Sequence, residues 1–229
     1  MPGLNDPNAI VLQIGTLQIT HSIVVTWGIM LGVTIFAWLA TRTLRVQPGP
    51  VQVLLEGIVG AIDEAIRAVL PTESSRIFPF IATLWIYIVL ANLTGLIPGI
   101  HAPTGDLSIT AALAVLVFFS VHWYGIRIEG ITSYLRHYLA PSPFLLPFHL
   151  ISEVTRTLTL AVRLFGNMMS LEMAALLVLL VAGFLAPIPL LMLHIVEALI
   201  QAYIFGMLAL IYLAGALQTR GVPAPSEKG

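Results

Sequence analysis

Six ionisable side chains stand within long apolar stretches of the sequence: Glu153, Arg156, Arg163, Glu172, His194 and Glu197. Ionisable groups at bilayer depth are costly, about 3 to more than 10 kcal/mol for a central arginine, so they must line protein or water. Carboxylates and imidazoles take up and release protons, whereas a guanidinium keeps its charge throughout. On a helix turning about 100° per residue, Ser152, Arg156, Thr159, Arg163 and Ser170 fall on one stripe, with Asn167 at its edge. Further on, His194, Glu197 and Gln201 stand at i, i+3 and i+7, a ladder of proton-capable and hydrogen-bonding groups over roughly 10 Å of helix. The chemistry these types and spacings suit is the passage of a small cation.

Several of these groups also admit a plainer role. Glu153 lies three residues before Arg156, so the two permit an ion pair that does no more than end a helix. His194 alone could be a packing histidine, although a carboxylate one turn away favours an ion path. Glu172 and Arg163 are harder to place structurally. No acidic residue stands at i±3 or i±4 from Arg163, so its partner must come from another element or another chain.

The elements that carry these groups follow from composition. Of 229 residues, 58% are hydrophobic and 9% charged, against about 25% charged in a soluble domain. Uncharged runs at 22–41, 77–100, 107–121, 173–193 and 198–219 approach or reach the roughly 20 residues of a spanning helix. The expected fold is an all-α membrane protein, a single integral membrane domain over 1–229. Its five crossings are joined by one interfacial helix. Arg42, Arg45, Arg67, Arg76, Arg127, Arg136, Arg220 and Lys228 fall between or after the runs. The positive-inside rule then puts the N-terminus, 1–21, outside and the C-terminus inside.

Residues 48–70 break the pattern, with apolar positions at Val51, Leu54, Leu55, Ile58, Val59, Ile62, Ile66, Val69 and Leu70 and a polar stripe of Gln52, Glu56, Asp63 and Arg67. That amphipathicity predicts a helix lying in the cytoplasmic interface; packing against a soluble partner is the alternative. From Phe144 to Leu185 the helical region exceeds a hydrocarbon core of about 30 Å. It must incline strongly or break, and Gly166 and Gly183 are the break points the sequence offers. The tail, 219–229, reads as flexible and cytoplasmic.

By this topology Glu172, His194 and Glu197 lie in the outer half of the membrane and Ser152, Glu153 and Arg156 in the inner half, with Arg163 between. That describes two half-paths separated by a fixed positive charge. The first 21 residues carry Asp6 and no Lys or Arg, so they lack the basic start of a cleavable signal, and no transit peptide is expected; a bacterial inner membrane follows. With no cysteine, disulfides, thioether haem attachment and thiolate metal sites are excluded. A net charge of -1 with scattered basic residues gives no reason to expect a nucleic-acid partner. No cofactor, metal or nucleotide site is expected, since no phosphate-binding loop is present.

The segment Leu160-Ala161-Val162-Arg163-Leu164-Phe165-Gly166-Asn167-Met168 resembles the signature of the a subunit of F-type ATP synthases, in which an arginine precedes Leu-Phe-Gly-Asn. The stretches Asn92 to Gly99 and Thr104 to Thr110, and the run from His194 through Gln201 to Phe205, follow the family in order and spacing over nearly all the chain after residue 50. The resemblance implies that Arg163 faces a ring of c subunits and attracts each ionised carboxylate, and that Asn167, Glu172, His194 and Gln201 line an outer half-channel. It implies two long, membrane-inclined last helices and a place for Gln201 near Arg163. A symmetrical hairpin about Pro187 would instead pair Arg163 with a later residue. The implied partners are the c ring, the b subunits of the peripheral stalk and the rest of the complex, with membrane lipid around the chain.

Three positions depart from that pattern: Ser170-Leu171 replaces a small-residue step before the glutamate, Arg156 stands where a neutral residue or lysine is common, and Glu197 adds a carboxylate beside His194. They leave the expected function, ion flow coupled to ATP synthesis, and open the choice of proton or sodium. Two rivals differ in kind. A secondary transporter would bring inverted repeats, and none is visible. A metalloprotease built on His194 and Glu197 would require a second histidine where Ala198 stands.

Overall fold

The computed structural model describes residues 10–14, 17–42, 46–97, 100–132, 146–183 and 188–218. An antiparallel hairpin of β1 (Ile10–Ile14) and β2 (Leu17–Thr20) opens it. Six helices follow: α1 (His21–Arg42), α2 (Pro50–Val69), α3 (Ser74–Leu93), α4 (Leu107–Glu129), α5 (Leu146–Ala182) and α6 (Ile188–Gln218). Short 3₁₀ turns at Thr94–Leu96 and Pro103–Gly105 lie between α3 and α4. All but α2 are long and apolar enough to cross a membrane, which gives the five expected spans in an all-α bundle. The hairpin is an addition to the sequence reading, which assigned the first 21 residues no regular structure; Ile10, Val11, Ile14 and Ile19 supply its β-branched residues.

Local chemistry sets the helix ends. Pro50 occupies the first turn of α2, where its missing N–H costs nothing. The Asp106 carboxylate accepts from the Ser108 backbone N–H at 2.9 Å and caps α4. Gly130 and Gly183, with φ of 81° and 82°, end α4 and α5 in the left-handed region that glycine enters freely. Gly183 therefore terminates α5, as one of the two break points allowed. Gly166 does not break it, because α5 is continuous through the position. At 37 and 31 residues, α5 and α6 measure about 55 and 47 Å, so neither fits upright in a hydrocarbon core. α4 continues past the uncharged run that announced it, carrying His122 and Arg127 on the same helix.

The core lies where α3, α4, α5 and α6 meet. Ile77, Ile81, Ile88, Val117, Leu160, Leu164, Phe205, Leu210 and Leu213 are buried there. Trp85 of α3 lies flat against α6, its ring stacked with Tyr203 at 6.1 Å and directly over Gly206, where any Cβ would collide with the indole. Only the C-terminal end of α2 joins this core, through Ile66 and the following Leu70, while Val51, Leu54, Ile58 and Val59 of its apolar face stay exposed. Its polar stripe closes on itself, Gln52 to Glu56 at 2.8 Å and Arg67 to Asp63 at 2.7 Å. The 219–229 tail lies outside the described residues, as does the hairpin apex at Pro187.

Candidate functional site

Arg163 sits on the outward side of α5. Leu160, Ala161, Leu164, Met168 and Leu171 are the buried positions of that helix, packed toward α4 and α6. Ser152, Arg156, Thr159, Arg163 and Ser170 are exposed on the other side. The polar stripe legible in the sequence is thus a surface turned away from the chain's own core. Among the described residues the ion pairs are Arg67–Asp63, Arg76–Glu73, His101–Glu172 and His122–Glu153, and Arg163 belongs to none. A guanidinium on a bilayer-length helix is unneutralised by anything described in the chain.

One turn beyond Arg163, the amide of half-buried Asn167 donates to Oε1 of Gln201 on α6 at 2.9 Å. Gln201 is 2% exposed, and its amide nitrogen finds no hydrogen-bond partner among the described residues. That contact fixes the register of the two long helices. Residues 167 and 201 lie 17 positions either side of 184, and residues 156 and 212, which also meet, lie 28 either side. The pairing is centred three positions before Pro187, so the symmetrical hairpin about that proline is corrected. The displacement brings Gln201 close to the Arg163 turn, as the family resemblance implies.

At the end of the bundle formed by the α3–α4 connection, His194 is 7% exposed and donates from Nε2 to the Asn92 carbonyl at 3.1 Å. Asn92 is fully buried; its amide donates to the Ala198 carbonyl at 3.2 Å, and its Oδ1 accepts from Thr104 at 2.7 Å. A Cβ on Gly95 would stand 3.4 Å from the His194 ring, and one on Gly105 would stand 3.3 Å from Glu172 Oε2. These two glycines let the connection close over both groups. Glu172 pairs with His101 of the same connection, so the acid and the α6 histidine are held in adjacent pairs with different partners. Glu197 is half-exposed, and no described residue bonds to it.

At the opposite end, Oε2 of Glu153 lies 3.6 Å from Nε2 of His122 on α4, and the Arg156 guanidinium stands 5.4 Å from the ring centre of Tyr212 on α6. The local Glu153–Arg156 pairing that the spacing permits gives way to contacts with two different helices. His101 and His122 were not singled out from the sequence, and Asn92 and Thr104 entered only as members of the stretches that carry the family resemblance. Asn92 carried the one available signal, an amide inside an uncharged spanning run. The contacts of the other three depend on tertiary placement. Along α5, Glu153 stands ten residues before Arg163 and Glu172 nine after it, about 15 and 14 Å.

A bundle of five apolar helices long enough to cross a membrane, with ionisable groups at either end and a guanidinium between, is an integral membrane protein. The family model described as ATP synthase A chain matches residues 23–214. The chain is 66% identical over 207 residues to ATP synthase subunit a 2 of Pelobacter propionicus, covering 90% of this chain and 91% of that one. It is 58% identical over 216 residues to ATP synthase subunit a of Legionella pneumophila, covering 94% of each. It is 61% identical over 207 residues to ATP synthase subunit a 1 of Hahella chejuensis, covering 90% and 88%. The chain belongs to the subunit a family of F-type ATP synthases, a membrane component of the Fo sector.

Proposed function

We propose that the chain is the stationary ion channel against which a ring of c subunits turns, with two half-channels offset on either side of Arg163. The observation that carries this reading is the exposed Arg163, without an acidic partner among the described residues, on a polar stripe of a helix long enough to span the bilayer. A charge so placed needs an anionic counterpart, and a carboxylate arriving on another subunit supplies it. A guanidinium attracts that carboxylate and cannot itself relay a proton, so ions must board the rotor to pass.

In this reading Asn167, Glu172, His194, Glu197 and Gln201 serve the outer half-channel, and Ser152, Glu153 and Arg156 the inner one. The hydrogen bond from Asn167 to Gln201 supports the first group by bringing the two long helices together one turn from Arg163. The whole chain, 1–229, forms one membrane domain with its N-terminal 1–21 outside and its C-terminus in the cytoplasm of a bacterial cell. The 48–70 segment lies in the inner interface, held by b subunits of the peripheral stalk and by lipid. Nucleotide chemistry belongs to the soluble head, and this chain contributes none. One elementary charge falling through 100 mV releases about 2.3 kcal/mol, and several such steps per turn drive synthesis.

The test is ion-driven ATP synthesis by the whole complex in proteoliposomes, wild type beside Arg163→Ala, under a proton gradient and then a sodium gradient. Loss of synthesis with ATP hydrolysis by the detached head intact is the expected result, and the gradient that drives the wild type names the ion. Coupled synthesis by Arg163→Ala overturns the reading.

A further inference from the structure

His122 of α4 and Glu153 of α5 meet across the helix interface at the end of the bundle remote from the His194 cluster. Nδ1 of His122 lies 2.9 Å from the carbonyl oxygen of Phe118. A carbonyl only accepts, so Nδ1 carries the hydrogen of that bond. In the neutral ring Nε2 then bears the lone pair, and it lies 3.6 Å from Glu153 Oε2. Either group can take up a proton, the imidazole at Nε2 or the carboxylate at its oxygens. The two thus place proton acceptors side by side across the α4–α5 interface.

Its surroundings suit exchange. The side chains of His122 and Glu153 are 25% and 20% exposed, enough for water to reach them and too little for bulk solvation. The His122 ring rests on Phe118 at 4.4 Å. Glu153 borders the exposed stripe of Ser152, Arg156 and Thr159, which rises turn by turn to Arg163. The other ionisable groups described at this end include Tyr124 and Arg127 on α4, His149 and Arg156 on α5, Tyr212 on α6, and the pairs Arg67–Asp63 and Arg76–Glu73 around the α2–α3 junction. Arg127 and Arg156 each lie over an aromatic ring, of Trp123 and Tyr212 respectively.

We infer that His122 and Glu153 together form the proton-exchange station of the inner half-channel, with His122 a proton-transfer residue of the path. This inference rests on the channel reading above and assigns the residues of its cytoplasmic side. In the pumping direction a proton from cytoplasmic water is taken up by the pair, at the imidazole Nε2 or at the carboxylate. It then leaves through water along the stripe to a rotor carboxylate beside Arg163, and the pair returns to its starting state. In synthesis the same proton travels in reverse.

The experiment is ATP-driven proton pumping by the whole complex in inverted vesicles, with the pH of the bath on the head side varied and the interior held fixed. His122→Asn and Glu153→Gln are each expected to slow pumping by roughly a hundredfold in an alkaline bath, the lower end of what a positioned acid–base group contributes. The deficit narrows as the bath is acidified, and Glu153→Asp keeps most of the wild-type profile. A merely structural role would lower the rate by one factor at every bath pH, and that result overturns the inference. The exchanged chain carrying His122→Glu with Glu153→His restores the histidine–carboxylate pair even if the single variants fail to assemble; an assembled complex of it that pumps no better than the singles also overturns it. Arg163→Ala, measured alongside, separates the two levels. If that variant pumps, the channel reading fails, and if it does not pump while the His122 and Glu153 variants keep the wild-type profile, only the present inference falls.

Discussion

Arg163 and Asn92 are both polar groups on apolar helices, and the structure treats them in opposite ways. Asn92 is fully buried with every polar group engaged, tying Thr104, Ala198 and His194 into one network. Arg163 is exposed with none of its five donors used by the described residues. A satisfied network holds a fixed geometry, whereas an unsatisfied cation waits for a partner. Asn92→Ala leaves the buried Thr104 hydroxyl without its acceptor and removes the extra bond to the Ala198 carbonyl, at a cost of about 1–3 kcal/mol. Thr104→Val removes one of the same bonds, so thermal unfolding of the two variants and their combination should be clearly less than additive. Additive losses would mean the two side chains do not interact. Arg163→Lys keeps a positive charge but loses the planar fork and can surrender its proton. It is therefore expected to leave ion-driven synthesis as defective as Arg163→Ala does, which the same proteoliposome assay reads.

Two glycines on the long helices carry opposite expectations. A Cβ at Gly206 would sit inside the Trp85 indole, so Gly206→Ala must push α3 and α6 apart, at about 1–3 kcal/mol of overpacking. A lower melting temperature of the purified complex, rescued in part by Trp85→Phe, checks this. Gly166 meets no atom within 4 Å beyond its own turn, so alanine there should stabilise the helix by about 0.5–1 kcal/mol. It lies beside Arg163 on the face assigned to the rotor. Gly166→Ala should accordingly raise or preserve stability while lowering ion-driven synthesis, and full activity would mean that no partner approaches that face. The helices themselves were legible in the sequence, because runs of apolar residues and flanking arginines are local signals. The six-residue shift in register of α6 against α5 was not, since it depends on the Asn167–Gln201 contact and on side chains distributed along both helices. Nor was the α3–α4 connection, whose His101 and Thr104 gain their meaning only when the chain folds over Glu172 and Asn92.

On the scale of the whole molecule, the two polar clusters lie at opposite ends of one apolar bundle, with Arg163 about 15 Å from either. Such an arrangement moves charge in a defined direction only if each end faces a different compartment, so the orientation of the chain is a functional quantity. Arg42, Arg67, Arg76 and Arg127 lie at the helix ends on the side that carries Glu153, which the positive-inside rule assigns to the cytoplasm. The absence of cysteine makes this open to direct measurement, because a single introduced thiol is labelled against no background. Gln47, between α1 and α2, and Ser108, in the first turn of α4, are both exposed and stand on opposite sides of the bilayer in this orientation. A membrane-impermeant maleimide added to intact cells with permeable outer layers should label Ser108→Cys and spare Gln47→Cys; in inverted vesicles the pattern should reverse. Labelling of Gln47→Cys from the outside would turn the molecule over, placing His194 and Glu172 on the cytoplasmic half-path and the His122–Glu153 pair on the external one. Labelling of both positions from one side would contradict the odd number of crossings between them.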